Sequence, residues 1–138
     1  GKKNEDNSLS DLAYYRQFPY VNEELADLYQ AADFVISRAG ANVIYEILAL
    51  KKPNILIPLP KKASRGDQIL NAESFSSQGF SVVLSQEELE ENPSVLLDYL
   101  EKLHENKEKY INAMEASKER DGRKNVLAVI QSVLDSKA

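Results

Sequence analysis

The chain has 138 residues, no cysteine and a formal net charge of -5. This length suits one domain over 1–138, and the lack of cysteine excludes disulfides and thiolate metal ligands. The negative charge argues against a nucleic-acid partner, because phosphate backbones require clustered lysine and arginine. The sequence contains neither an apolar run of the roughly 18 to 20 residues that span a bilayer nor a signal peptide. We therefore expect a soluble, intracellular domain.

Short apolar runs alternate with amphipathic stretches, which is typical of βα units and a parallel sheet. After a first apolar run over 13–18, the predicted strands are 34–36, 54–57 and 80–84. The predicted helices are 22–30, 42–50, 67–78, a short one after Ser85, 94–119 with a break near His104, and 123–136. Asn22 can cap the first helix, Gly79 can end the third, and Ser85 with Glu88 forms a capping box. The pattern predicts an α/β fold, a small parallel sheet flanked by helices.

Loops that leave the carboxyl ends of parallel strands gather at one edge of the sheet, and ligands bind there. We expect three segments to meet at that edge: 18–22, 37–46 and 58–71. In the second of these, SRAGANVIYE, Gly40 stands before a helix whose first amides form a natural anion site. Glu46 lies on the same side of that helix as Asn42, and its carboxylate can bind both hydroxyls of a ribose. The alternative is that Gly40 only makes a tight turn and that Glu46 is solvated.

The third segment combines a basic loop over 61–65 with a helix that begins with polar residues. Gln68 and Asn71 are three residues apart, so both amides can face the same ligand. The loop's lysines and arginine could neutralise a diphosphate. The alternative is that Asp67 is merely a favourable charge at the helix start and that the loop is solvated.

The other charged residues and motifs give little indication of a catalytic or metal site. His104 is the only histidine and lies in a charged helical stretch, so we expect it to be a solvent-exposed bystander. The acidic run 87–91 is typical of a solvated helix face. No metal-ligand cluster, Ser-His-Asp set or Walker loop occurs in the sequence.

Three motifs stand in register through the middle of the chain: R-A-G-x-x-x-x-x-E, I-P-L-P and D-Q-x-x-N-A. The segments that contain them, ADFVISRAGANVIYEILALKKPNILIPLP and GDQILNAESFSSQGFSVVL, closely resemble the C-terminal domain of the MurG family. These enzymes are UDP-N-acetylglucosamine:lipid I N-acetylglucosaminyltransferases. A looser similarity extends over nearly the whole chain.

The resemblance implies a GT-B hexosyltransferase with two Rossmann-like domains, of which this chain is part of the C-terminal, donor-binding one. The intact enzyme would transfer GlcNAc from UDP-GlcNAc to lipid I, making lipid II for peptidoglycan at the cytoplasmic face of the bacterial membrane. The opening GKKNEDNS lacks an initiator methionine, and the acceptor domain and the first, Gly-rich βα unit of the family are not in the sequence. The resemblance therefore implies no catalytic residue here, no activity of this piece alone, and no cofactor or metal.

The family's binding residues fall on three parts of the sequence. Glu46 matches the ribose-binding position, and the residues matched along the diphosphate are Gly40, Ala41, Asn42 and Val43. Those matched to the GlcNAc hydroxyls are Gln68, Asp67 and Asn71. Those matched near the uracil are Val21, Asn22 and Leu25. Arg38 matches a position expected to brace the loop.

Two departures from the family pattern affect this assignment. Val43 stands where relatives often carry threonine, so only its backbone can contact phosphate, and Asp67 stands where some members have glutamine. Two other functions stay open: a related GT-B glycolipid synthase that uses another UDP-sugar, and a non-catalytic nucleotide-sugar-binding subunit.

Overall fold

The computed structural model describes residues 12–18 and 24–117, and the chain forms two compact units, Gly1–Ala31 and Ala32–Ala138. In the first unit, the apolar run 13–18 is a turn followed by irregular backbone, and the Tyr15 amide donates to the Leu12 carbonyl. The predicted first helix is confirmed as α1, Glu24–Ala31. Its expected cap, Asn22, lies outside the described residues.

The second unit contains a parallel sheet of three strands in the order β1-β2-β3. The strands are β1 Val35–Ser37, β2 Asn54–Leu56 and β3 Val82–Val83. The helices are α2 Ala41–Leu50, α3 Lys61–Ser64, α4 Asp67–Ser77, α5 Gln86–Glu91 and α6 Val95–Glu105. A further helical segment covers 107–117. The predicted α/β class is confirmed, because each parallel pair of strands is joined through helices. The predicted helix 123–136 lies outside the described part of the chain.

Local signals explain most of the boundaries. The Ser85 hydroxyl accepts a hydrogen bond from the Glu88 amide at 3.2 Å, so Ser85 caps α5 as predicted. Gly79, with a φ of 80°, follows the end of α4 in the left-handed conformation. The predicted break near His104 occurs at Asn106, between α6 and the segment 107–117.

The basic segment 61–65 differs from the prediction, because its first four residues form the short helix α3 rather than a loop. Pro60 precedes this helix with a φ of -60°, and its carbonyl accepts from the Ala63 amide at 2.9 Å. Arg65 and Gly66 then both adopt positive φ, which separates α3 from α4. The backbone after Pro60 is therefore helical, although the charge pattern predicted a loop.

The central strand of the sheet is covered on both faces. All three residues of β2 are buried, as expected for a central parallel strand. One cluster joins Ile55 of β2 to Leu84 and to Leu103 of α6. Elsewhere in the unit Phe75 of α4 packs edge-on against Phe80 at 5.4 Å between ring centres. These contacts hold α6 against β2 and α4 against the segment that leads into β3.

Among the described residues, no helix is both long and apolar enough to cross a membrane.

Candidate functional site

The loop between β1 and α2 presents the start of a ten-residue helix at the carboxyl edge of the sheet. Gly40 is the N-cap residue, and no side chain caps the helix. The first helical hydrogen bond runs from the Ile44 amide to the Gly40 carbonyl at 3.1 Å. The amides of Ala41, Asn42 and Val43 precede that bond and point outward along the helix axis, with the positive end of the helix dipole behind them. Such an end is suited to an anion.

The backbone at Gly40 does not itself require glycine. Its φ of -68° and ψ of 145° are extended values that any residue adopts. A Cβ built there would meet nothing nearer than the Gln68 Nε2 atom, at 4.0 Å. The conformation therefore does not support the tight-turn interpretation, and the space beside Gly40 is open.

Two amide side chains of α4 form hydrogen bonds with the backbone of this loop. The Gln68 Oε1 atom accepts hydrogen bonds from the backbone amides of Ala39, at 3.3 Å, and of Leu59, at 3.0 Å. The Asn71 Nδ2 atom donates to the Ala39 carbonyl at 2.9 Å. Ala39 belongs to the loop after β1 and Leu59 to the loop after β2, so α4 joins the two strand ends. We call these three hydrogen bonds the amide clasp.

A fourth hydrogen bond, from an exposed side chain, connects the same two loops. The exposed Arg38 donates from Nη1 to the carbonyl of Ile57 at 3.1 Å. Ser37 lies alongside, and its hydroxyl donates to the Arg38 carbonyl at 2.8 Å. Arg38 therefore joins the loop after β1 to the end of β2.

The charged and polar candidates around the loop are accessible. Asn42 and Glu46 are exposed on successive turns of α2, and Asp67 is exposed at the start of α4. The cations of the basic segment are exposed as well: Lys61, Lys62 and Arg65. Val43 is half-buried, so its side chain is partly taken up by packing.

The structure does not bring every candidate residue to this site. Val21 and Asn22 lie outside the described residues, and Leu25 is half-buried on α1 in the other unit. The meeting of segment 18–22 with the other two segments therefore stays a prediction. The described parts of 37–46 and 58–71 do meet, through the amide clasp.

Sequence reasoning missed two features. The backbone of Ala39 and Leu59 belongs to the site framework, although neither residue carries a functional side chain. Tyr45 projects from α2 with 62% of its surface exposed, and its ring meets Phe75 edge-on at 5.7 Å. No local pattern signals the first feature, because Gln68 is 29 residues from Ala39 along the chain. An unexplained aromatic residue inside the SRAGANVIYE motif could have pointed to the second.

Other parts of the second unit show fewer features of a binding site. A cleft of about 290 Å³ lies beside Ile36 and Arg38, and another of about 340 Å³ lies beside Phe34 and Lys52. His104 is exposed, as predicted, and its ring meets Phe34 edge-on at 5.8 Å. Within 12–18 and 24–117, no group of three or more potential ligand side chains is placed to hold a metal ion.

Comparison with known proteins gives a consistent assignment. Residues 1–127 match the family model described as the glycosyltransferase family 28 C-terminal domain. A UDP-N-acetylglucosamine--N-acetylmuramyl-(pentapeptide) pyrophosphoryl-undecaprenol N-acetylglucosamine transferase of Clostridium botulinum strain 657 is 59% identical over 131 residues. The protein of the same name from Clostridium perfringens strain SM101 is 53% identical over 131 residues. Each alignment covers 95% of this chain but only 36% of the relative's length. No solved structure matches the chain.

Proposed function

Because the chain belongs to the glycosyltransferase family 28 C-terminal domain family, we propose that it is the donor-binding part of a UDP-GlcNAc-dependent hexosyltransferase. The relatives are named for transfer of N-acetylglucosamine to N-acetylmuramyl-(pentapeptide) pyrophosphoryl-undecaprenol. The complete protein would perform the same transfer, from UDP-GlcNAc to lipid I, to make lipid II for peptidoglycan. The observation that carries the proposal is the uncapped start of α2, held at the carboxyl edge of the sheet by the amide clasp.

The donor would lie across the start of α2. Its diphosphate would accept hydrogen bonds from the amides of 41–43, where the helix dipole favours negative charge. Glu46 stands one turn further along the helix than Asn42, and its carboxylate would accept from the two ribose hydroxyls. The exposed lysines of α3 would add positive charge near the diphosphate.

The sugar and the base would be held at either side of the diphosphate. Gln68, with Asp67 and Asn71 beside it on α4, would face the GlcNAc ring. Val21, Asn22 and Leu25 would contact the uracil, as the family resemblance implies. Arg38 would act indirectly, because its bond to the Ile57 carbonyl braces the loop that carries Gly40.

The reaction would be an inverting displacement at the anomeric carbon, with a hydroxyl of lipid I as nucleophile and UDP as leaving group. Negative charge grows on the β-phosphate as the glycosidic bond breaks. Backbone amides at a helix start are already oriented towards that charge, so they stabilise it without reorganising. The catalytic base and the lipid-binding surface would belong to the remainder of the protein, at the cytoplasmic face of the membrane.

Titration of the full-length protein and of this chain with UDP-GlcNAc, UDP-glucose and UDP tests the proposal. We expect NMR shifts at 40–46 and 68–71, larger with UDP-GlcNAc than with UDP-glucose. A preference for UDP-glucose would indicate the glycolipid synthase instead. Donor binding without any transfer to lipid I by the full-length protein would indicate a non-catalytic subunit.

Glu46→Ala should weaken UDP binding by about 1 to 3 kcal/mol, the usual value of charge-assisted hydrogen bonds. Glu73→Ala is the matched control, because it removes an equal charge from an exposed position on α4. Equal affinities for the two folded variants would remove Glu46 from the site.

A further inference from the structure

We infer that Gln68 and Asn71 are positioning residues, which set the distance between the two strand-end loops and aim the backbone of Gly40 at the ligand. This inference rests on the proposed function, since the ligand is the nucleotide-sugar diphosphate. In this inference the two side chains position the loops in the free protein, before either side chain contacts the sugar.

The orientation of the Gln68 amide follows from its partners. Two backbone N–H groups, those of Ala39 and Leu59, converge on one atom of the amide. An N–H group cannot donate to an NH₂ group, so the shared atom must be the carbonyl oxygen. Both lone pairs of that oxygen are then in use. The remaining Nε2 atom lies on the Gly40 side, 4.0 Å from the position of a Cβ on that residue.

This geometry restricts what Gln68 can recognise. Its oxygen is committed to the two loops, so it can offer a ligand only the N–H donors of Nε2. Any ligand group next to Gln68 must therefore be an acceptor, such as a phosphate oxygen or the lone pair of a sugar hydroxyl. The same side chain thus links loop spacing to ligand recognition.

Asn71 determines the direction of the next peptide group. Ala39 is completely buried, and its N–H and C=O are bound by Gln68 and Asn71 respectively. The described chain has no cis peptide bond, so the Gly40 N–H points opposite to the Ala39 carbonyl. Since that carbonyl is directed at Asn71, the Gly40 N–H is directed away from α4. The Asn71 bond therefore adds a fourth amide to those that open α2.

Amide hydrogen exchange in the full-length protein can test this, together with UDP-GlcNAc affinity. Gln68→Met removes the shared acceptor, and we expect exchange at both Ala39 and Leu59 to accelerate by about threefold to tenfold, as for loss of one net hydrogen bond. Gln68→Glu keeps the acceptor and replaces the donor with a negative charge next to the proposed diphosphate. It should restore the slow exchange at both amides and still bind UDP-GlcNAc at least about fivefold more weakly.

Two further variants complete the test. Asn71→Leu cannot donate to the Ala39 carbonyl and adds no charge, and it should weaken UDP-GlcNAc binding while leaving exchange at Leu59 unchanged. Gln78→Met is the control, because Gln78 is exposed at the end of α4 and its side-chain amide bonds, among the described residues, to Ser74 alone. It should alter neither exchange nor affinity.

The outcomes separate the two proposals. Unchanged exchange at Ala39 and Leu59 in Gln68→Met would refute the clasp. Faster exchange in Gln68→Met, together with undiminished UDP-GlcNAc affinity in both Gln68→Met and Asn71→Leu, would refute the positioning role. If the parent protein shows the slow, Gln68-dependent exchange but binds no UDP-GlcNAc, the clasp stands and the proposed function fails.

Discussion

The variant Gly40→Ala tests whether glycine is needed at this position for ligand binding or for folding. The backbone of Gly40 is extended, and the nearest atom to an added Cβ would be Gln68 Nε2 at 4.0 Å, an ordinary contact. The substitution therefore introduces neither strain nor a clash in the free protein. A methyl group at this position would, however, occupy the space that a diphosphate needs in order to reach the amides of 41–43.

The effect on stability should be small because two contributions oppose each other. Alanine is a poorer N-cap residue than glycine, which costs on the order of 0.5 to 1 kcal/mol. Alanine also lowers the conformational entropy of the unfolded chain, which stabilises the fold by about 0.4 to 1 kcal/mol. We expect the net change in unfolding free energy to stay within about 0.5 kcal/mol. Affinity for UDP-GlcNAc should fall about tenfold or more, as expected when charge-assisted bonds lengthen.

Gly79→Ala is the matched control. Gly79 has a φ of 80°, and a Cβ there would approach the Cβ of Ala113 at 3.6 Å. The left-handed conformation disfavours alanine by roughly 1 to 2 kcal/mol, so this variant should lose about 1 kcal/mol of stability. It lies at the far end of α4 from the amide clasp, and donor affinity should not change.

Urea denaturation and calorimetric titration with UDP-GlcNAc measure both quantities for each variant. The expected pattern is a loss of affinity alone for Gly40→Ala and a loss of stability alone for Gly79→Ala. Full donor affinity in Gly40→Ala would refute the close-approach argument, and with it the placement of the diphosphate at α2. A large loss of stability in Gly40→Ala would instead indicate that glycine is needed for the turn between β1 and α2.

Three further predictions concern the sheet and the helices α5 and α6. Asn54 is completely buried and its amide nitrogen donates to two backbone carbonyls, one of them Phe80, so Asn54→Ala should cost about 2 to 3 kcal/mol in urea denaturation. The buried Ser81 hydroxyl has no hydrogen-bond partner among the described residues, so Ser81→Ala should change stability by less than about 1 kcal/mol, or increase it. Burial, reinforced by a hydrogen bond to Glu88 and its charge, raises the pKa of Tyr99 above its ordinary value of 10.0. The neutral phenol is thus the form favoured by folding: its contribution is fully present below pH 10.0 and is lost as the pH rises through the higher folded value. Tyr99→Phe should therefore flatten the alkaline decline in thermal stability, and an unchanged decline would contradict this assignment.

The features that the sequence predicted well are those encoded within a few residues. Ser85 caps α5 as expected, because its hydroxyl and the Glu88 amide lie within one helical turn. The alternation of apolar runs and amphipathic stretches predicted the parallel sheet, since burial on both faces demands such runs. The resemblance to the MurG family, carried by three motifs in register, is confirmed by the family match. The short helix α3 was missed because charge indicated a loop where Pro60 begins a helical turn.

The sequence by itself determined the fold class and the family, and it predicted which residues form the candidate site. Only the tertiary structure decided how those residues work together. Whether Gln68 contacts a ligand or a loop depends on bonds to Ala39 and Leu59, which are 29 and 9 residues away. Whether Gly40 serves a turn or a ligand depends on its φ and on the open space beside it. Both questions concern the packing of α4 under two strand ends, and no local pattern of side chains specifies a distance between segments that meet only when the sheet has formed.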